Sequence, residues 1–124
     1  MNLFLVAIGG AIGSVARYVL SSTIARYVPS AFPLGTFTVN VPSCAVLGVI
    51  VGVAQPRLLA GAETRAFLLV GVLGGFTTFS TFAYESVLLL RAGQIAPALL
   101  NVAGQTALGV AALWAGYALA LNTR

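Results

Sequence analysis

Nine consecutive residues, Gly74-Gly75-Phe76-Thr77-Thr78-Phe79-Ser80-Thr81-Phe82, put unusual chemistry inside an apolar stretch. The paired glycines weaken a helix, and four hydroxyl residues follow them closely. In hydrocarbon an unsatisfied backbone group is costly, so such a segment is tolerated only where protein covers it or where it lines a polar path. The phenylalanines recur at every third position, and an unbroken helix would align Phe76, Phe79 and Phe82 in one aromatic row. A backbone prone to break near Gly74, mid-membrane and beside rings and hydroxyls, reads as an ion or substrate site.

Other polar residues stand in equally apolar surroundings. Asn40 either glues helices together or donates its amide hydrogens to an anion. Arg17 must snorkel, pair, or line a wet vestibule that concentrates anions. Glu85, more than a helical turn before Arg91, is either an interfacial salt-bridge partner or a functional carboxylate. Asn101, Gln105 and Gly109 are spaced four apart and share one helix face, turned toward the third span or a pore. Enzyme chemistry finds no support: there is no His or Asp, and the two carboxylates, Glu63 and Glu85, lie on different elements.

The elements that must position these groups follow from composition. With 124 residues, 60% hydrophobic and 6% charged, the chain has more apolar surface than a soluble domain of this size can hide. Spans are expected at about 3–25, 34–54, 66–90 and 95–121, each long enough for a hydrocarbon core of about 30 Å. The fold class is therefore all-α integral membrane, with residues 1–124 forming one four-helix domain whose third helix is broken near its middle. The N-terminal stretch lacks a basic region before its apolar run and reads as a retained first helix. Residues 27 to 35 form a turn-rich link, and the segment 55–65 a surface loop whose Glu63 and Arg65 are assigned no role. Gly9 and Gly13, and again Gly48 and Gly52, have the spacing that lets helices approach closely. Pro42 should kink the second span by removing the bond to the Thr38 carbonyl. Trp114 and Tyr117 suit an interface, and the single Cys44 excludes both a disulfide framework and a cysteine metal site.

The net charge of +4 comes from scattered arginines and does not suggest nucleic acid. Arg57, Arg65 and Arg124 fall on one side of the membrane, Arg26 and Arg91 on the other. The positive-inside rule thus has almost nothing to act on. Insertion in both orientations would permit an antiparallel dimer with its two-fold axis in the membrane plane.

Taken together, Gly9-Gly10 through Gly13 with Arg17-Tyr18, Pro33-Leu34-Gly35-Thr36 with Asn40, and the string GGFTTFSTF resemble the bacterial fluoride channels called Fluc or CrcB. The motifs fall in three of the four spans in the family's order. The resemblance implies an antiparallel, dual-topology homodimer in the bacterial cytoplasmic (inner) membrane. It would hold two pores that pass fluoride selectively and passively, limiting fluoride toxicity. It further implies that Phe79 and Phe82 are the pore phenylalanines and Asn40 the asparagine near the fluoride path. Thr77, Thr78, Ser80, Thr81 and Glu85 would form the polar track, with Arg17 in the vestibule. The backbone carbonyls of Gly74 and Thr77 would hold a structural sodium ion at the dimer centre. Three positions depart from the family pattern: Ser43 replaces a usual glycine, and Asn101 and Gln105 replace a usual tyrosine and serine. Pairing with a homologous second subunit, a heterodimer, is the alternative assembly.

The residue chemistry agrees with this implication. Fluoride is small and strongly hydrated, so its path needs donors, which Asn40 and the hydroxyls supply. A phenylalanine ring presents a positive edge to an anion. Conduction requires that an ion leave as easily as it arrives, and no lysine is present to trap it. Broken-helix carbonyls favour a cation, hence sodium. Two other readings are a small dual-topology drug/proton exporter, for which Glu85 would be the membrane carboxylate, and a non-conducting subunit of a heterodimeric fluoride channel.

Overall fold

The computed structural model describes residues 2–54 and 61–123. Arg57 and Arg124, counted above for orientation, lie outside the described residues, as does most of the segment expected to form the middle loop. Every regular element described is helical, and four spans are long and apolar enough to cross a membrane. They are α1 (Asn2–Tyr27), α2 (Leu34–Ala54), a composite third span, and α6 (Ile95–Asn122). The composite span runs through α3 (Ala62–Arg65), a wide-turned π-helical segment (Ala66–Leu73), α4 (Gly74–Phe76) and α5 (Phe79–Arg91). Residues 62–65 are thus a helical turn continuous with the span, where the sequence suggested loop. Glu63 falls in the first turn of the composite span, where a carboxylate suits the free N–H groups of a helix N-terminus.

Two tight pairs build the molecule: α2 lies along α6, and α1 along the π segment and α4. Both depend on backbones that touch. A Cβ on Gly9 would sit 2.6 Å from the Phe67 carbonyl oxygen, so α1 could not hold its distance from the π segment with any larger residue there. Gly48 meets the Leu113 carbonyl in the same way, bringing α2 against α6. α2 stays helical through Pro42, which is exposed.

Burial is inverted relative to a soluble protein. Thr36, Ser43, Ser86, Asn101 and Gln105 are buried, whereas Leu3, Val110, Trp114 and many other large apolar side chains are exposed. Hydrocarbon can solvate the apolar side chains but not the polar ones, which must find partners inside. The third span ends in a tight turn at Gly93, whose φ of +74° only glycine adopts readily. There the Gln94 amide reaches back to the Leu89 carbonyl and returns the chain into α6.

Candidate functional site

Gly74 and Gly75, where the sequence placed the weakness, are helical, and the residues that leave the helix are Thr77 and Thr78. Thr77 adopts φ −79°, ψ 155° and Thr78 φ −149°, ψ 120°, both extended. Such dihedrals suit β-branched threonines better than glycines. Two extended residues also end the expected aromatic row. Phe79 and Phe82 remain paired, with ring centroids 5.4 Å apart, but Phe76 belongs to the preceding helix and does not continue their line.

The backbone groups freed by this interruption find specific partners. Asn40, on α2, accepts from the Thr78 amide through Oδ1 at 2.9 Å and donates Nδ2 to the Thr78 carbonyl at 3.0 Å. One side chain thereby does for Thr78 what a neighbouring strand would do. Thr78 in turn caps α5, its Oγ1 accepting from the Thr81 amide at 3.3 Å and donating to Thr81 Oγ1 at 3.1 Å. Thr77 Oγ1 donates back to the Leu73 carbonyl at 3.0 Å.

This rearrangement leaves the four carbonyls from Gly74 to Thr77 without their helical donors. In an unbroken helix the Gly74 carbonyl would accept from the Thr78 amide and the Thr77 carbonyl from the Thr81 amide. Those amides are bound to Asn40 Oδ1 and Thr78 Oγ1. Carbonyl oxygens released in this way, those of Gly74 and Thr77 among them, are chemically the kind of donor that a hard cation accepts.

Three cavities flank the interruption. The first, about 490 Å³ and mostly apolar, is lined by Asn40, Thr77, Thr78, Phe79, Phe82 and Gln105 among others. It opens to the outside, and Phe79 is 78% exposed. The second, about 190 Å³, gathers Ser14, Arg17, Ser21, Thr36, Thr78 and Thr81. Arg17 is half-buried and lines this cleft together with residues that carry hydroxyls. The third, also about 490 Å³, reaches from Thr81 and Glu85 to the link before α2. The second cavity is lined by Arg17 and the third by Glu85, and the two share Ser21, Thr36 and Thr81 in their walls. Glu85 is bound through Oε1 to the Thr36 hydroxyl at 2.8 Å, and not to Arg91; its Oε2 is buried with no partner among the described residues. Ser80 lines none of these cavities and is exposed, 3.5 Å from Thr78 Oγ1.

The sequence model of the family described as "CrcB-like protein, Camphor Resistance (CrcB)" matches residues 4–117. The chain belongs to this family. It is 45% identical, over 93% of its length and 93% of the relative's, to a protein of Nitratidesulfovibrio vulgaris named "Fluoride-specific ion channel FluC". Proteins of the same name from Opitutus terrae and Methylobacillus flagellatus are 43% and 41% identical, each over 98% of this chain and 95% and 96% of their own lengths.

Some site residues were not visible as such in this CrcB-like sequence. Thr36 stood only as part of a motif, with no role of its own, yet it holds Glu85. Ser86 was not singled out at all, yet it is buried and links α5 to Asn101 at 2.9 Å. The stripe on α6 does face the third span, through Asn101, but Gln105 is bound to α2 through Asn40 at 2.9 Å. The spacing of Asn101 and Gln105 could reveal a shared face, but not two different partners for it.

Proposed function

We propose that this chain is a fluoride-selective channel that lets fluoride leave the cell passively across the cytoplasmic membrane and so limits its toxicity. The observation that carries the reading is near full-length identity of 45% to a protein named a fluoride-specific ion channel. The CrcB-like family is a channel family and not a family of enzymes, and this member is a multi-pass membrane protein.

In this reading Arg17 draws the anion to a vestibule, and the hydroxyls of Thr78 and Thr81 with Glu85 mark a polar track, which Ser80 joins from outside the cavities through Thr78. The edges of Phe79 and Phe82 and the amide of Asn40 meet the ion in the groove. Ring edges carry partial positive charge and amide hydrogens donate, so together they replace hydration water without a fixed cation that would hold the ion. A groove this open needs a second surface to become a sealed path. We assign that surface to a second copy of the chain, inserted in the opposite orientation, which gives two pores per dimer. The even spread of arginine along the chain supports insertion both ways.

The carbonyls of Gly74 and Thr77 would hold a sodium ion between the two copies. When bound, that ion supplies fixed positive charge that ties the two interrupted spans together. The test is fluoride efflux from liposomes containing only this purified chain, with chloride as control and Phe82→Ile alongside. Fast fluoride-selective efflux that the substitution lowers at least about tenfold supports the reading. No efflux from folded dimers argues against a self-sufficient channel and directs attention to a second, homologous subunit.

A further inference from the structure

The Asn40 amide stands at the end of a buried chain of hydrogen bonds whose direction is fixed at its far end. Ser86 spends its one hydroxyl hydrogen on the Phe82 carbonyl at 2.7 Å, so it can only accept from Asn101 Nδ2. Asn101 Oδ1 then accepts from Gln105 Nε2 at 2.8 Å, which turns Gln105 Oε1 toward Asn40 Nδ2 at 2.9 Å. The same orientation of Asn40 is demanded from the other side, where its Oδ1 faces the Thr78 N–H. The two constraints agree, so the amide orientations are determined by the network.

Nδ2 of Asn40 has two hydrogens, and both are engaged: one by the Thr78 carbonyl and one by Gln105 Oε1. The first cannot be given up without releasing the interrupted backbone. The second is the hydrogen that Asn40 can offer to the groove, which both Asn40 and Gln105 line. We propose that Gln105 sets the anion discrimination of this groove by competing, through Oε1, for that hydrogen. The inference rests on the fluoride-channel reading above and adds a specificity-determining residue to it.

An anion that binds Asn40 must displace a neutral carbonyl acceptor and leave it buried without a donor, which is unfavourable. A charge-assisted hydrogen bond offsets this only if the anion is a strong acceptor. Fluoride has high charge density and accepts strongly. Chloride is larger, accepts weakly and loses the competition. Gln105 therefore imposes a threshold on the anion, and it is not needed to orient Asn40, which the Thr78 backbone already holds with two bonds.

The experiment measures fluoride and chloride efflux from liposomes containing the wild-type chain, Gln105→Met or Asn101→Leu. Wild-type selectivity comes first: if fluoride does not pass, the channel reading itself fails and not this inference. Gln105→Met removes the competitor, and its chloride efflux is expected to rise at least about tenfold, one decade being about 1.4 kcal/mol, while fluoride continues to pass. Asn101→Leu removes the partner of Gln105 Nε2 but not Asn40 Nδ2, which Thr78 orients and which still holds Gln105 Oε1, so this variant is expected to stay selective. Unchanged selectivity in Gln105→Met, or equal loss in both variants, overturns the proposal. Should Gln105→Met not fold, side-chain amide NMR of the wild type decides. Sodium fluoride is expected to shift the Asn40 and Gln105 amide signals and equal sodium chloride to leave them in place; no response to fluoride refutes the competition.

Discussion

The two halves of α6 meet α2 by different means. Toward its C-terminal end the contact is steric: Gly116 lies against the Ala45 carbonyl, and Leu113 presents its own carbonyl to Gly48. Toward its N-terminal end the contact is chemical: buried Gln105 accepts from Asn40 on α2, and buried Asn101, which accepts from Gln105, donates to Ser86 on α5. The steric half needs only small residues and brings backbones close enough for dispersion to hold them. The polar half leaves no atom free to drift, because each amide in it completes another's bond. Where a membrane protein needs only adhesion, small residues suffice. Next to an interrupted backbone, the helix must also supply partners.

Breaking the steric half should have the largest effect. Gly48→Leu drives a side chain into the backbone of Leu113 and is expected to cost at least about 3 kcal/mol, the upper end of overpacking penalties. Size-exclusion chromatography should show loss of monodisperse protein; a normal profile would mean that α2 and α6 can separate without harm.

Asn40→Ala strikes the polar half at its centre. It strips the Thr78 amide and carbonyl of their partners, each worth about 1–3 kcal/mol when buried. A lowered thermal midpoint together with lost fluoride efflux is expected, and a variant with the wild-type midpoint would show that the interruption is held by something else. Thr78→Val keeps the β-branched shape but removes the cap on α5. The expected cost is about 1 kcal/mol, seen as a small drop in midpoint with the fold retained.

The same contrast explains what could be read from the sequence. The four spans and the glycine contacts were legible, because apolar length and small-residue spacing are local properties of the chain. Asn40, the hydroxyls and Glu85 also stood out, since a polar residue in an apolar span is conspicuous on its own. What the sequence could not show is pairing. Nothing local to Thr36 predicts Glu85, and nothing local to Gln105 predicts Asn40, because those partners are 49 and 65 residues away. The interruption starts a few residues beyond the paired glycines for a related reason. Gly74 and Gly75 have the weaker intrinsic preference for helix, but Thr77 and Thr78 have the partners that make leaving it favourable: Asn40 for the Thr78 backbone, and the Thr78 hydroxyl for α5. The π-helical stretch before it had no signal in composition at all.

The most direct test of the account is the current carried by the purified chain in a planar bilayer, first in symmetrical sodium fluoride and then in sodium chloride. A steady fluoride current that vanishes in chloride is the predicted result. Equal currents in the two salts, or none in fluoride from protein shown to be folded, would contradict it.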